Sequence, residues 1–173
     1  ASQVTDRLIA ANVRYADGTS LFAPTALLER TIIDTRGTEH PLRIGVFGVL
    51  PPQILEWDRD KLLGRVTVED MGQAAARASG ELHAQGADLI IALAHTAPSA
   101  RPQAIGSENR AHEIAALPHV DVILAGHSHK SLPSDDYKDM PGVDPAAATL
   151  AGTPAMMPGA NASHIARMDL ELR

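Results

Sequence analysis

The chain has no cysteine among its 173 residues, which excludes disulfide bridges and every metal site built on thiolates. Any transition metal it holds must be bound by His, Asp, Glu or Asn. A cysteine-free chain is compatible with oxidising and reducing compartments alike. Aromatic side chains are almost as scarce, with one Trp, two Tyr and two Phe making up 3% of the sequence. Ala, Leu, Ile and Val must therefore fill the core, and no aromatic platform for stacked bases is evident. Positive charge is in deficit too, 15 Lys and Arg against 21 Asp and Glu for a net charge of −6. Duplex DNA would find little sequence-independent attraction here, so a nucleic-acid scaffold role is not expected. No apolar run approaches the ~20 residues of a membrane helix, and no membrane partner is expected. The opening "ASQVTDRLIAANVRYADG" lacks the basic start and apolar stretch of a secretory signal.

What is present suits one domain or a large part of one, since 45% of the residues are hydrophobic and the length allows a core without disulfides. Arg7 to Val13 reads as a strand entered almost at once, as if the chain began part-way through a domain. Leu27 to Asp34 and Leu42 to Val49 flank the polar "TRGTEHP", a hairpin pattern with Asp34 and His40 in its loop. "PPQILEWDRDKLLGRV" is Pro-led, carries Trp57, and reads as irregular chain wrapping the sheet. A helix is expected from Thr67 as N-cap, with Asp70 three residues on, to Gly86. "DLIIALAH" follows as a fully buried strand, then a helix over Glu108 to Leu117, then "VDVILAGHSH" as a second buried strand. This helix and strand alternation predicts an α/β fold with right-handed crossovers on a parallel sheet core. After an excursion over Leu132 to Gly152, "TPAMMP" and "HIARMDLEL" read as two further short strands.

The chemistry concentrates at strand ends. "LIIALAH" ends in His95, and "VILAGHSH" ends in His127 with His129 two residues on. The carboxyl ends of neighbouring parallel strands line one crevice, so the three imidazoles are candidates for a shared metal site, with Gly126 allowing the turn that faces two near-consecutive rings inward. On residue chemistry alone a second reading stands beside it, in which these are hydrogen-bonded rim residues. For the other residues the simpler assignments are structural. Glu108 and Asn109 read as an N-cap region, Trp57 as packing beside Pro51 and Pro52, and His83, His112 and His119 as surface positions.

"LAGHSH" with "IIALAHTAPS" resembles the C-terminal half of the calcineurin-like metallophosphoesterase domain of the 5′-nucleotidase superfamily. "GVFGVLPPQILEWDRDKLLGRVTVEDM", "SEN" at Ser107 to Asn109 and "TPAMMPG" at Thr153 to Gly159 resemble its bacterial 2′,3′-cyclic-nucleotide 2′-phosphodiesterase/3′-nucleotidase branch. The resemblance implies part of a four-layer αββα sandwich with mixed sheets. It implies two divalent ions, of a kind such as Zn, Mn, Fe or Co, with His95 and His127 as ligands of one and His129 of the other. The activity implied is hydrolysis of nucleotide phosphoesters, 2′,3′-cyclic nucleotides and 3′-nucleotides first, with a 5′-nucleotidase or nucleotide-sugar hydrolase as the alternative within the superfamily. An alternative of another class is a noncatalytic metal-binding or interaction module. Asn109 and His164 occupy positions that could line the substrate. The superfamily's Asp-x-His, Gly-Asp and Gly-Asn-His-Glu segments have no counterpart here. The N-terminal half of the domain, with the catalytic His, is thus expected outside residues 1–173, and this chain alone is expected to be inactive or nearly so. Periplasmic residence and a separate C-terminal nucleotide-binding domain are further implications of the resemblance.

Overall fold

A computed structural model describes residues 8–172. The first strand, β1 (Val13–Tyr15), pairs antiparallel with β4 (Val66–Val68) in a small two-stranded sheet. The strand expected over Arg7 to Val13 is therefore displaced: Arg7 lies outside the described residues, and between 8 and 12 only Ile9 makes a bridge, to Ala23. Asn12 accounts for the irregularity. Fully buried, it donates through Nδ2 to the carbonyls of Leu50 (2.7 Å) and Glu69 (3.0 Å) and accepts the Leu50 N–H (3.2 Å), so its side chain does the pairing that a strand's backbone would do.

The main sheet starts with the expected hairpin, β2 (Thr25–Ile33) antiparallel to β3 (Glu39–Val49), except that His40, expected in the loop, lies in β3 opposite Ile32. Asp34 closes the loop by accepting the N–H groups of Arg36 (2.8 Å) and Thr38 (2.9 Å), the usual turn chemistry of Asp. The end of β3 then pairs in parallel with β5 (Leu89–Ala94), β5 with β6 (Val122–Ala125), and β6 with β10 (Thr153–Pro158). Short antiparallel additions follow on the β10 side: β9 (Thr149–Leu150), β8 (Val143–Asp144) and β7 (Ser131–Leu132). The mixed-sheet α/β architecture is as expected.

Between strands, the irregular Pro-led segment winds through two single-turn helices, α1 (Ile54–Trp57) and α2 (Arg59–Leu62). The long helix α3 (Met71–Ala84) is capped by Asp70, which accepts the Gln73 N–H at 3.0 Å. Thr67 is no cap because β4 claims it, paired with Arg14. The next helix, α4 (Ala111–Ala115), is shorter than the expected Glu108 to Leu117. Thr96 Oγ1 takes the Arg110 N–H (2.8 Å) and donates to the Glu108 carbonyl (2.6 Å), which holds the preceding residues as a loop. Neither Glu108 nor Asn109 caps α4; Arg110 stands at that position.

The buried faces of α3 and α4 are rich in Ala and pack on Phe47, Ile90, Ala92, Ile123 and Ala155 to form one core. The opposite face of the sheet is different. Leu93 and Leu124, cross-strand partners on β5 and β6, are 38% and 39% exposed. The expectation of two fully buried strands is thus corrected: among the described residues helices cover only one side. The segment before β1 crosses part of the other side, where the Ile9 carbonyl lies 2.7 Å from the place a Cβ on Gly48 would take. Beyond β10, residues 164–172 form no strand despite their alternating pattern. Alternation makes a strand only beside a ladder partner, and Ile165 is 99% exposed. Among the described residues no helix is long and apolar enough to cross a membrane.

Candidate metal centre

His95 follows directly on β5, and its N–H continues the ladder to the Val49 carbonyl at 2.9 Å. On the next strand, Gly126 donates to the Thr96 carbonyl (3.2 Å) before the chain turns at His127. The register aligns Ala94 with Ala125, so the two strand ends deliver their histidines side by side. The ring centroids of His95 and His127 are 5.1 Å apart in an edge-to-face arrangement at 64°. The turn itself departs from expectation. It is made by the histidines, His127 at φ 79° and His129 at φ 63°, and Gly126 is not among the left-handed residues. Non-glycine residues held in this region cost energy and gather at functional sites. Ser128, between them, is pinned by a 2.6 Å hydrogen bond between its Oγ and the hydroxyl of buried Tyr137.

Burial pushes the His95 imidazole below its ordinary value, and the nearby His127 and His129 add to that depression. His95 thus keeps a free lone pair at neutral pH, which is the form that binds a metal. His129 is exposed and makes itself felt at His95 through charge; only His95 and His127 are brought into ring contact. Asn109 donates to Glu108 Oε1 at 3.3 Å, and that same oxygen stands 3.7 Å from His127 Nε2. His164 hydrogen-bonds with Ser163 Oγ (2.8 Å), and a Cβ on Gly159 would lie between it and Ser131.

The donor chemistry fits divalent cations, yet the described residues gather no group of three or more His, Asp or Glu side chains able to hold an ion. A groove of about 330 Å³ opens beside the His95–His127 pair on the uncovered sheet face, lined in part by Ile9, Gly48, Leu93, His95 and Leu124. Two contributors were missed in the sequence. Trp57 stacks on His127, with centroids 5.2 Å apart and planes at 21°, and Tyr137 anchors the turn. No sequence signal marked Tyr137. For Trp57 the signal was its place in a segment rich in turn residues and far from any strand.

The fold is that of the calcineurin-like phosphoesterases. A calcineurin-like phosphoesterase from Bacillus subtilis, YfkN, superposes with a TM-score of 0.83 at 36% identity, covering 87% of this chain and 46% of its own. The particular relatives are bacterial 2′,3′-cyclic-nucleotide 2′-phosphodiesterase/3′-nucleotidases, to a segment of which this chain is similar. The enzyme of Salmonella typhimurium is 40% identical over 152 residues, 88% of this chain and 24% of the relative. That of Haemophilus influenzae is 38% identical over 151 residues, 87% of this chain and 23% of the relative. The chain thus spans about a quarter of the length of these curated relatives. No protein-family model matches it.

Proposed function

We propose that this chain is the C-terminal portion of a metallophosphoesterase domain and supplies one side of a two-metal centre that hydrolyses nucleotide phosphoesters. The leading substrates are 2′,3′-cyclic nucleotides and 3′-nucleotides, the activities in the names of the Salmonella and Haemophilus relatives. The observation that carries the reading is the pairing of His95 and His127 at the ends of adjacent parallel strands, 5.1 Å apart. In it His95 and His127 serve one ion and His129 the other, while Asn109 and His164 line the approach of the substrate. Bound divalent ions would supply charge neutralisation at the phosphate and activation of water. This reconciles an acidic chain, net −6, with an anionic substrate, because bound cations set the local field.

The bridging carboxylate and the catalytic His would come from polypeptide outside residues 1–173, so the chain by itself is expected to hydrolyse nothing. Two observations support this division: the incomplete donor group and the uncovered apolar face carrying Leu93 and Leu124. Periplasmic residence and a further nucleotide-binding domain belong to the same proposal. The test is calorimetric titration of the chain with Zn²⁺ and Mn²⁺. Binding is expected in the wild type and at least tenfold weaker in His127→Ala and in His129→Ala. Unchanged heats in both variants overturn the assignment. On the complete protein, a preference for 5′-monophosphates over 2′,3′-cyclic and 3′-phosphates would overturn the substrate reading and favour the 5′-nucleotidase alternative.

A further inference from the structure

Three groups converge on the imidazole of His127, and only one of them is another histidine. Trp57 lies over its face at 5.2 Å, His95 meets it edge-on at 5.1 Å, and the Glu108 carboxylate stands 3.7 Å from Nε2. The side chain of His127 is 19% exposed and that of Glu108 41%, so the carboxylate reaches the ring from the solvent side. From the metal-centre reading above, on which this rests, we infer that Trp57 and Glu108 are positioning residues for His127. Trp57 sets the plane of the ring, and Glu108 sets which nitrogen carries the proton.

At 3.7 Å Glu108 acts through its charge rather than through a formed hydrogen bond. A carboxylate beside one imidazole nitrogen favours the proton on that nitrogen, here Nε2, which leaves the lone pair on Nδ1. Ligating histidines are commonly oriented in this way by a carboxylate at the nitrogen that does not bind. A surface glutamate chosen at random would serve poorly, but Glu108 is braced. Its carbonyl accepts from Thr96 Oγ1 (2.6 Å), its Oε1 accepts from Asn109 Nδ2 (3.3 Å), and Thr96, fully buried, follows His95 in sequence. Trp57 is mounted on the same brace. Gln53, at the start of its helical turn, donates to the Gly106 carbonyl at 2.8 Å, and the Gly106 N–H donates to Asp70 at 2.7 Å. The two groups that hold His127 are thus fixed to one loop, and that loop is fixed to the buried Asp70–Arg110 pair.

The experiment uses the whole chain, first without metal. Nitrogen-15 NMR of the histidine rings near pH 8 is expected to show His127 as the Nε2–H tautomer, with its ring protons moved upfield by Trp57. Glu108→Gln, which keeps the shape and removes the charge, is expected to bring in the Nδ1–H form. Trp57→Leu is expected to abolish the upfield shift. A wild-type Nδ1–H tautomer, or identical His127 spectra in wild type and both variants, overturns the positioning role whether or not metal binds. Zn²⁺ affinity, read by competition with a chromophoric chelator, is then expected to fall about 10- to 100-fold in Glu108→Gln. Equal affinity in wild type and variant overturns the inference. A wild-type chain that holds His127 as described but takes up no Zn²⁺ overturns the metal reading and leaves the positioning of His127 standing.

Discussion

At the scale of single residues, Asp70 ties three segments of the fold together. It caps α3 through Gln73, receives the Gly106 N–H and pairs with Arg110 at 2.5 Å, the two side chains being 6% and 11% exposed. Burial by itself would raise its pKa, but the N–H groups of Gly106 and Gln73 and the Arg110 guanidinium outweigh burial and hold the carboxyl below the ordinary range. A depressed folded value means a contribution that is complete above the unfolded pKa of about 3.9 and is lost as pH falls through the folded one. Asp70→Asn is therefore expected to melt lower than wild type at pH 7 and to show a shallower loss of stability below pH of about 4. Removing one member of a buried pair costs about 3–5 kcal/mol, which at this length is a fall of roughly 10 °C in the thermal midpoint; equal midpoints for wild type and variant at pH 7 would contradict it. The sequence showed Asp70 as part of a helix start, and its spacing from Thr67 placed the cap three residues too early. The adjacency of His95 and His127 was legible because each closely follows an apolar strand run, whereas His129 stays exposed and outside their ring contact. Glu108 was legible only as a neighbour of Asn109, since its relation to His127 is made by a loop and not by a periodicity.

At the scale of elements, hairpin, long helix and parallel strands could all be read, because each has a strong local period. The elements that failed are those whose fate is set by neighbours. Residues 164–172 alternate like a strand yet have no ladder to join, and the segment before β1 is diverted by Asn12. That segment meets β3 at Gly48, where the Ala11 N–H donates to the Gly48 carbonyl at 2.7 Å. A methyl group there would collide with the Ile9 backbone at 2.7 Å, and a carbonyl within the main chain cannot swing aside as a side chain can. Gly48→Ala is expected to cost about 1–3 kcal/mol, measured as a lower urea midpoint at an unchanged m-value. An unaltered midpoint would mean that the segment before β1 is not seated on β3.

At the scale of the whole molecule, the apolar composition of β5 and β6 suits a sheet covered on both sides, whereas the described residues cover one. This is why both strands read as fully buried. An apolar run reports the environment a strand suits, and on one face of β5 and β6 the described residues do not supply it. The chain is expected to bind a hydrophobic dye such as ANS through this face. The double variant Leu93→Lys with Leu124→Glu is expected to lower the dye fluorescence several-fold and to move the thermal midpoint by less than about 2 °C, because both side chains are more than a third exposed. The same pair of strands has a second consequence. The ladder pairs Ala94 with Ala125; His95 comes one residue beyond that pair and His127 two, so the 5.1 Å between their rings depends on the left-handed turn at His127, φ 79°, as well as on the ladder. Ladder and turn together set the spacing of the two rings. A single residue inserted between Ala94 and His95 would slide that ring about 3.3 Å along the strand direction and turn it to the opposite side, dismantling the pair while leaving both histidines in the sequence.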